Sequence, residues 1–131
     1  MSKNQSLIVV RWFAAALYAA GIFYLSSLSH PLPFLEAIEK YHSDLILHGV
    51  EYGVFGALLV RAAAVSWESF SPKMWMTLAF LIGSAYGCTD EWHQSFVPLR
   101  DASFLDAAAD AVGTGIGIWI WTRSSKIKTH A

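Results

Sequence analysis

Residues Asp44 to Val65, DLILHGVEYGVFGALLVRAAAV, decide the architecture. At 1.5 Å per residue the stretch is long enough to cross a hydrocarbon core of about 30 Å, which takes about 20 apolar residues. Yet it carries His48 and Glu51, with Arg61 near its end. A charge near the bilayer centre costs about 2.5–3.5 kcal/mol on insertion scales, so such side chains face protein or water and mark a site. Gly49 and Gly53 add a small-x-x-x-small pair, which lets a second backbone approach closely. The stretch therefore reads as a membrane helix packed among other helices.

Working outward, Leu7–Leu28 is a second apolar run of spanning length, broken by Arg11. Pro72–Gln94 is a third, opened by Ser71 as a cap and Pro72 at the first helical position. Ser103–Trp121 is a fourth, carrying Asp106 and Asp110. The expected fold is an all-α integral membrane bundle, one domain over residues 1–131, with spans at about 7–28, 44–65, 72–94 and 103–121. A signal peptide is the rival reading of the first run. Its apolar stretch is long and no convincing small-x-small cleavage site follows before His30, which favours a retained helix.

Composition agrees. Of 131 residues, 55 % are hydrophobic and 15 % charged, against about 25 % charged in an average soluble domain. That excludes disorder. A net charge of −1 offers no basic field for nucleic acid, and one cysteine, Cys88, builds no internal disulfide. Seven of the nine Lys and Arg (Lys3, Arg11, Arg61, Lys73, Arg123, Lys126 and Lys128) fall on one side of the four-span arrangement, and Lys40 and Arg100 on the other. The positive-inside rule then places both termini in the cytoplasm. Trp12, Trp67, Trp75, Trp119 and Trp121 fall at the inner interface, and Tyr24, Tyr41, Trp92 and Phe96 at the outer one. In the first outer loop, after His30-Pro31-Leu32-Pro33, the residues Phe34, Leu35, Ile38 and Tyr41 share a helical face, which predicts a short interfacial helix. Gly83 and Gly87, and Gly113 and Gly117, repeat the Gly49–Gly53 spacing, so the second, third and fourth helices are expected to form the tight core.

All acids but Glu68 fall in the outer half, with His30, His42, His48 and His93. His48 and Glu51 lie about 6 and 10 Å below Asp44, and Asp106 and Asp110 about 4.5 and 10 Å below Ser103. Both helices start at the same surface, so His48 is expected level with Asp106 and Glu51 with Asp110. His48 shares a face with Glu51 and Tyr52, Asp106 with Asp110, and Asp90 with His93 and Gln94. These three faces are expected to converge on one pocket opening outward. Bland readings stand beside this. Ser103-Phe104-Leu105-Asp106 fits a capping box, which would explain Asp106. His48 fits a core histidine, and Trp92 and His93 fit ordinary interfacial residues. Asp110 lies a turn deeper, with no such role. Asp90 and Glu91 sit at a helix C-terminus, where the dipole disfavours carboxylates, so a cation is expected nearby: Arg100 or a metal ion.

Asp90-Glu91, Gln94, Phe96, Pro98, Arg100, Ser103, Asp106 and Gly113 resemble the signature of the VanZ-like family, roughly D-E-x-x-Q-x-F-x-P-G-R-x-x-S-x-x-D-x-x-x-N-x-x-G. His48-x-x-x-Tyr52 matches that family's H-x-x-x-Y element, and the resemblance covers about residues 44–117. Leu99 stands where the family has Gly, which puts the turn before Arg100 in question. Asp110 stands where Asn is usual, which adds a charge and puts the inherited role of that position in question. The resemblance implies a small polytopic protein of the cell envelope, linked to resistance to glycopeptide antibiotics, teicoplanin in particular; it implies no settled reaction.

Four functions fit. The pocket binds a polar group of an envelope or lipid-linked ligand, or of a glycopeptide, through His48, Tyr52, Gln94, Arg100 and Asp106. Alternatively the protein is an enzyme on a lipid-linked substrate, with Glu51, Asp90, Glu91 and Asp110 as acid/base candidates and His48, Glu51, Asp90 and Asp110 as ligands of a divalent metal ion. In a third reading the polar residues are a structural network serving a partner protein. Cation transport is the weakest, because the acids stop about a third of the way down. Membrane lipids are the expected surroundings in every case. The sequence leaves the oligomeric state open.

Overall fold

The structure, a computed structural model, describes residues 2–29 and 40–128, with side chains over 2–29 and 44–125. Among the described residues it has four helices and no strand: α1 Lys3–Ser26, α2 Lys40–Ser66, α3 Pro72–Gln94 and α4 Phe104–Lys128. Each has at least 23 residues, so each is at least about 34 Å long, more than a hydrocarbon core. Two of them, α1 and Asp44–Ser66 of α2, are apolar enough to cross a membrane. The apolar runs of α3 and α4 are diluted by Asp90, Glu91, Asp106, Asp110 and five glycines.

The helix starts follow the cap residues. Ser2 and Gln5 form a reciprocal capping box, so α1 begins a turn earlier than its apolar run and also ends earlier, at Ser26. Ser71 Oγ accepts from the Met74 N–H at 3.3 Å and Pro72 occupies the first turn, as the sequence predicts. The box expected at Ser103 and Asp106 is not closed. Ser103 Oγ accepts from the Leu105 N–H at 3.1 Å, but the Ser103 N–H donates to Glu91 Oε2 at 2.9 Å instead of to Asp106. The α2 helix opens a turn before Asp44. The α4 helix runs past Trp121 to Lys128, because no Gly or Pro interrupts residues 122–128. Of the interfacial helix expected after Pro33, residues 34–39 lie outside the described residues and Tyr41 belongs to the first turn of α2.

The central helix is α2, which packs against all three others, most intimately against α4. Glycine is what permits that approach. A Cβ at Gly113 would collide with the Gly49 carbonyl oxygen, and one at Gly117 with the Gly53 carbonyl oxygen. On α3, a Cβ at Gly83 would lie 2.6 Å from the Thr114 methyl. Helices α2, α3 and α4 thus form the tight core the small-x-x-x-small pairs predict. By contrast, α1 lies against α2 and, lightly, α3; among the described residues it does not touch α4. Only 11 % of its apolar window is buried, which is not the behaviour of a soluble core helix. Side-chain hydrogen bonds tie it down. Trp12 Nε1 donates to Ser66 Oγ at 2.8 Å, Arg11 to the Arg61 carbonyl at 2.9 Å, Tyr18 to the Glu51 carbonyl at 3.2 Å, and Tyr86 of α3 to the Ala19 carbonyl at 2.7 Å.

Aromatic residues gather at both ends of the bundle. Trp12 packs edge-on against Trp67, and Trp75 against Trp121, at the end that also holds Arg11, Arg61 and Arg123. Trp92 packs against Phe96 at the other, acidic end.

Candidate functional site

At the acidic end three helices each contribute buried polar side chains. His48 comes from α2, Asp90, Glu91 and Gln94 from the last turn of α3, and Asp110 from the second turn of α4. Asp110 is 0 % exposed and Glu91 6 %. His48 Nδ1 and Asp110 Oδ1 share a hydrogen bond of 2.9 Å, and Glu91 Oε1 lies 3.9 Å from the same nitrogen. Gln94 Nε2 donates to Asp90 Oδ2 at 3.1 Å. Gly87 makes the room, since a Cβ there would lie 2.8 Å from Asp110 Cβ and 2.9 Å from Asp110 Oδ2.

The register differs from the one counted from the helix starts. His48 pairs with Asp110, not Asp106, a full turn further along α4. The glycine contacts explain it. Gly49 against Gly113 and Gly53 against Gly117 fix the two helices by backbone packing, whatever the position of their first residues. Asp106 is left half-buried above the pair, where the charges of His48 and Arg100 still reach it.

Other candidates separate. Glu51 turns toward α1 and lines a groove of about 360 Å³ with Leu17, Tyr18, Gly21, Ile22 and Leu25. It stays within electrostatic range of His48, Asp90 and Arg100 but outside the close cluster. Tyr52 is fully buried beside Phe55 and Tyr86, and its hydroxyl has no hydrogen-bond partner among the described residues. His93, expected on the face of Asp90 and Gln94, turns to α1 instead. Its Nε2 is 3.0 Å from Ser27 Oγ, and its ring packs on Phe23. Thr114, fully buried one turn below Asp110 with no hydrogen-bond partner for its hydroxyl among the described residues, is a member of this polar seam that spacing alone did not single out. Its signal was present in the i, i+4 spacing from Asp110.

The loop that follows α3 is tied to the cluster. Residues 95–103 turn back over it, held by the Phe96 N–H on the His93 carbonyl, the Val97 N–H on the Gln94 carbonyl, the Arg100 N–H on the Val97 carbonyl and the Ser103 N–H on Glu91. Leu99 in this turn has φ of 67°, the left-handed conformation that glycine favours, so the turn keeps a glycine-type backbone with a leucine in it. Arg100 is half-buried, and among the described residues its Nε has no hydrogen-bond partner and it makes no ion pair with a carboxylate.

Chemically, an ionised Asp110 accepts the His48 Nδ1–H, orients the ring and leaves Nε2 as its second functional atom. Glu91 Oε1, Asp90 Oδ1 and Asp110 Oδ2 are buried without a hydrogen-bond partner among the described residues. Of the four residues proposed from sequence as metal ligands, the structure brings His48 and Asp110 together. Glu91 takes the place expected of Glu51 and Asp90: its ligand atom and those of His48 and Asp110 all lie within 4.8 Å of one another.

The family model described as VanZ/LLP1 matches residues 7–125, nearly the whole chain. No curated protein and no solved structure matches it.

Proposed function

The chain belongs to the VanZ/LLP1 family, and from that premise we propose that it is a four-span protein of the cell membrane that binds an envelope or lipid-linked ligand. Both termini face the cytoplasm, and the polar cluster of His48, Glu91 and Asp110 faces outward. Its role, on this reading, is in envelope processes and teicoplanin resistance. Two apolar helices support the membrane assignment, and so do the apolar side chains exposed around all four helices. Three of the four arginines, Arg11, Arg61 and Arg123, lie at the end opposite all acids but Glu68, which supports the orientation. The single observation that carries the ligand-binding reading is the convergence of buried ionisable side chains from three helices beneath one loop. Such groups are costly in a membrane interior and are placed there for a site. Access runs through residues 95–103, and Arg100 supplies a fork suited to phosphate or carboxylate.

Two measurements test this. In a Cys88→Ser background, a cysteine at exposed Asp101 should react with a membrane-impermeant maleimide on intact cells; protection until lysis overturns the orientation. Expression in a teicoplanin-sensitive host should raise the inhibitory concentration, and Glu91→Gln should abolish that rise at equal membrane abundance. A rise unaffected by Glu91→Gln removes the cluster from the function.

The hydrogen-bonded His48–Asp110 pair favours a second reading, catalysis on a lipid-linked substrate with His48 as the proton carrier. Turnover of a lipid-linked pyrophosphate by purified protein, lost in His48→Ala, separates it from binding alone.

A further inference from the structure

We propose that His48, Glu91 and Asp110 hold a divalent transition-metal ion, with one coordination position left open beneath the 95–103 loop. The three side chains come from three helices, and one ligand atom of each lies within 4.8 Å of the others. Ligand atoms about 2.0–2.2 Å from a tetrahedral ion stand about 3.3–3.6 Å apart. The distances from His48 Nδ1, 2.9 Å to Asp110 Oδ1 and 3.9 Å to Glu91 Oε1, bracket that spacing. Small side-chain rotations therefore suffice.

The second observation concerns hydrogen bonding, not proximity. Glu91 Oε1 is buried, aimed at His48, and without a hydrogen-bond partner among the described residues. Its sister oxygen is fixed by the Ser103 N–H at 2.9 Å, the kind of outer contact that orients a ligating carboxylate. Asp110 Oδ2 and Asp90 Oδ1 are likewise buried and unpartnered. With His48 protonated, the ligand triad alone remains one charge negative, and Asp90 beside it adds another. Arg100 forms no ion pair with these acids among the described residues. Buried carboxylates either take up protons or hold a cation, and a divalent cation at the triad would supply two positive charges in place of those protons.

One imidazole and two carboxylates suit zinc or manganese better than calcium or magnesium, which prefer all-oxygen sites. Three protein ligands leave a position for water or for an anionic oxygen of a ligand. An acid-lined site would otherwise repel phosphate; a bound cation reverses that sign.

The test uses full-length protein in lipid nanodiscs, stripped with a chelator and titrated with Zn²⁺ or Mn²⁺ alone. It needs no envelope ligand, so its failure is distinct from failure of the resistance reading. Wild type should retain one ion per chain by elemental analysis and should unfold at higher temperature with metal. Glu91→Gln keeps an oxygen for the Ser103 N–H, so the metal-free fold should persist while affinity falls by about tenfold or more. On wild type itself, bound Mn²⁺ should show pulsed-resonance coupling to an imidazole nitrogen. Metal-free wild type that binds no ion, bound Mn²⁺ without nitrogen coupling, or unchanged affinity in a folded Glu91→Gln protein would each overturn the proposal.

Discussion

Gly113→Ala and Gly21→Ala differ by one methyl in two helices, and the structure gives them opposite signs. At Gly113 a Cβ would collide with the Gly49 carbonyl oxygen and sit 2.9 Å from Gly49 C and Cα. The obstacle is backbone on both sides, so no rotamer change relieves it. To restore an ordinary carbon contact of about 3.5 Å, α4 must retreat from α2 by roughly 1 Å. Overpacking of this kind costs about 1–3 kcal/mol, and the rigid partner places it at the upper end. Alanine returns up to about 1 kcal/mol of helix propensity. The net expectation is a loss of about 2 kcal/mol, or roughly thirtyfold in the folding equilibrium. The same retreat would stretch the 2.9 Å His48–Asp110 contact beyond hydrogen-bond range. At Gly21 nothing lies within 4 Å of the added methyl, so only the propensity gain remains.

The assay is reversible unfolding in mixed micelles, followed by far-ultraviolet circular dichroism. Gly113→Ala should unfold at lower denaturant fraction than wild type, and Gly21→Ala at equal or higher. If Gly113→Ala is as stable as wild type, the close approach of α2 and α4 is wrong. If both variants lose the same stability, glycine acts through helix flexibility and not through close packing of α2 on α4.

Gly87→Ala meets a side chain rather than backbone, 2.8 Å from Asp110 Cβ, so it should lose less stability than Gly113→Ala while still displacing Asp110; comparing unfolding with metal retention checks both. Leu99→Gly should stabilise the protein by about 0.5–1 kcal/mol, because a left-handed non-glycine residue costs about 1–2 kcal/mol and the more flexible unfolded chain returns part of it. Leu99 is 79 % exposed and surrenders little packing; a lowered melting temperature would contradict the strain. Cys88 is exposed on α3 about two turns below Gln94. If α3 crosses the bilayer, Cys88 should resist a charged maleimide in sealed vesicles and react once detergent is added, and reaction in intact vesicles would refute the third span. Asp110→Asn keeps the side-chain shape and an oxygen for the His48 Nδ1–H but removes a charge, so it should fold normally and weaken metal binding; unchanged binding would take Asp110 out of the ligand set.

Sequence spacing revealed the helices and some of the residues that meet, His48 and Asp110 among them, but not their register. Hydropathy located every helix, and Ser71-Pro72 placed a start correctly because cap chemistry is local. The pairing of His48 with Asp110 was hidden because levels were counted from helix starts, whereas the glycine contacts between α2 and α4 set the offset. The same glycines were visible in sequence as pairs, without saying which faced which. Glu91, expected only as an acid/base candidate, stands where Glu51 was expected beside His48, for a related reason. A helical face says which residues share a direction, not which neighbour lies there, and α2 has neighbours on several sides. The tie between the loop and the cluster was not legible either, because Ser103 spends its backbone N–H on Glu91, twelve residues back in the chain, and not on its own helix.

On the proposed four-span arrangement, how each helix is attached follows from what lipid leaves available. Between apolar side chains and acyl chains there is little net drive to associate, so helices join by close backbone packing or by hydrogen bonds. Glycine gives α2 and α4 the first route. Gly21 has nothing within 4 Å, and α1 takes the second, through Arg11, Trp12, Tyr18 and its own Ala19 carbonyl. The two routes differ in tolerance. A side-chain tether accommodates a shift of an ångström by rotamer adjustment, whereas a glycine seam has no side chain to adjust. A site whose contacts are 2.9 and 3.9 Å needs the stiffer kind of joint, and the cluster sits where that joint is. The Glu51 groove, by contrast, lies along the tethered helix, where the geometry is held less tightly.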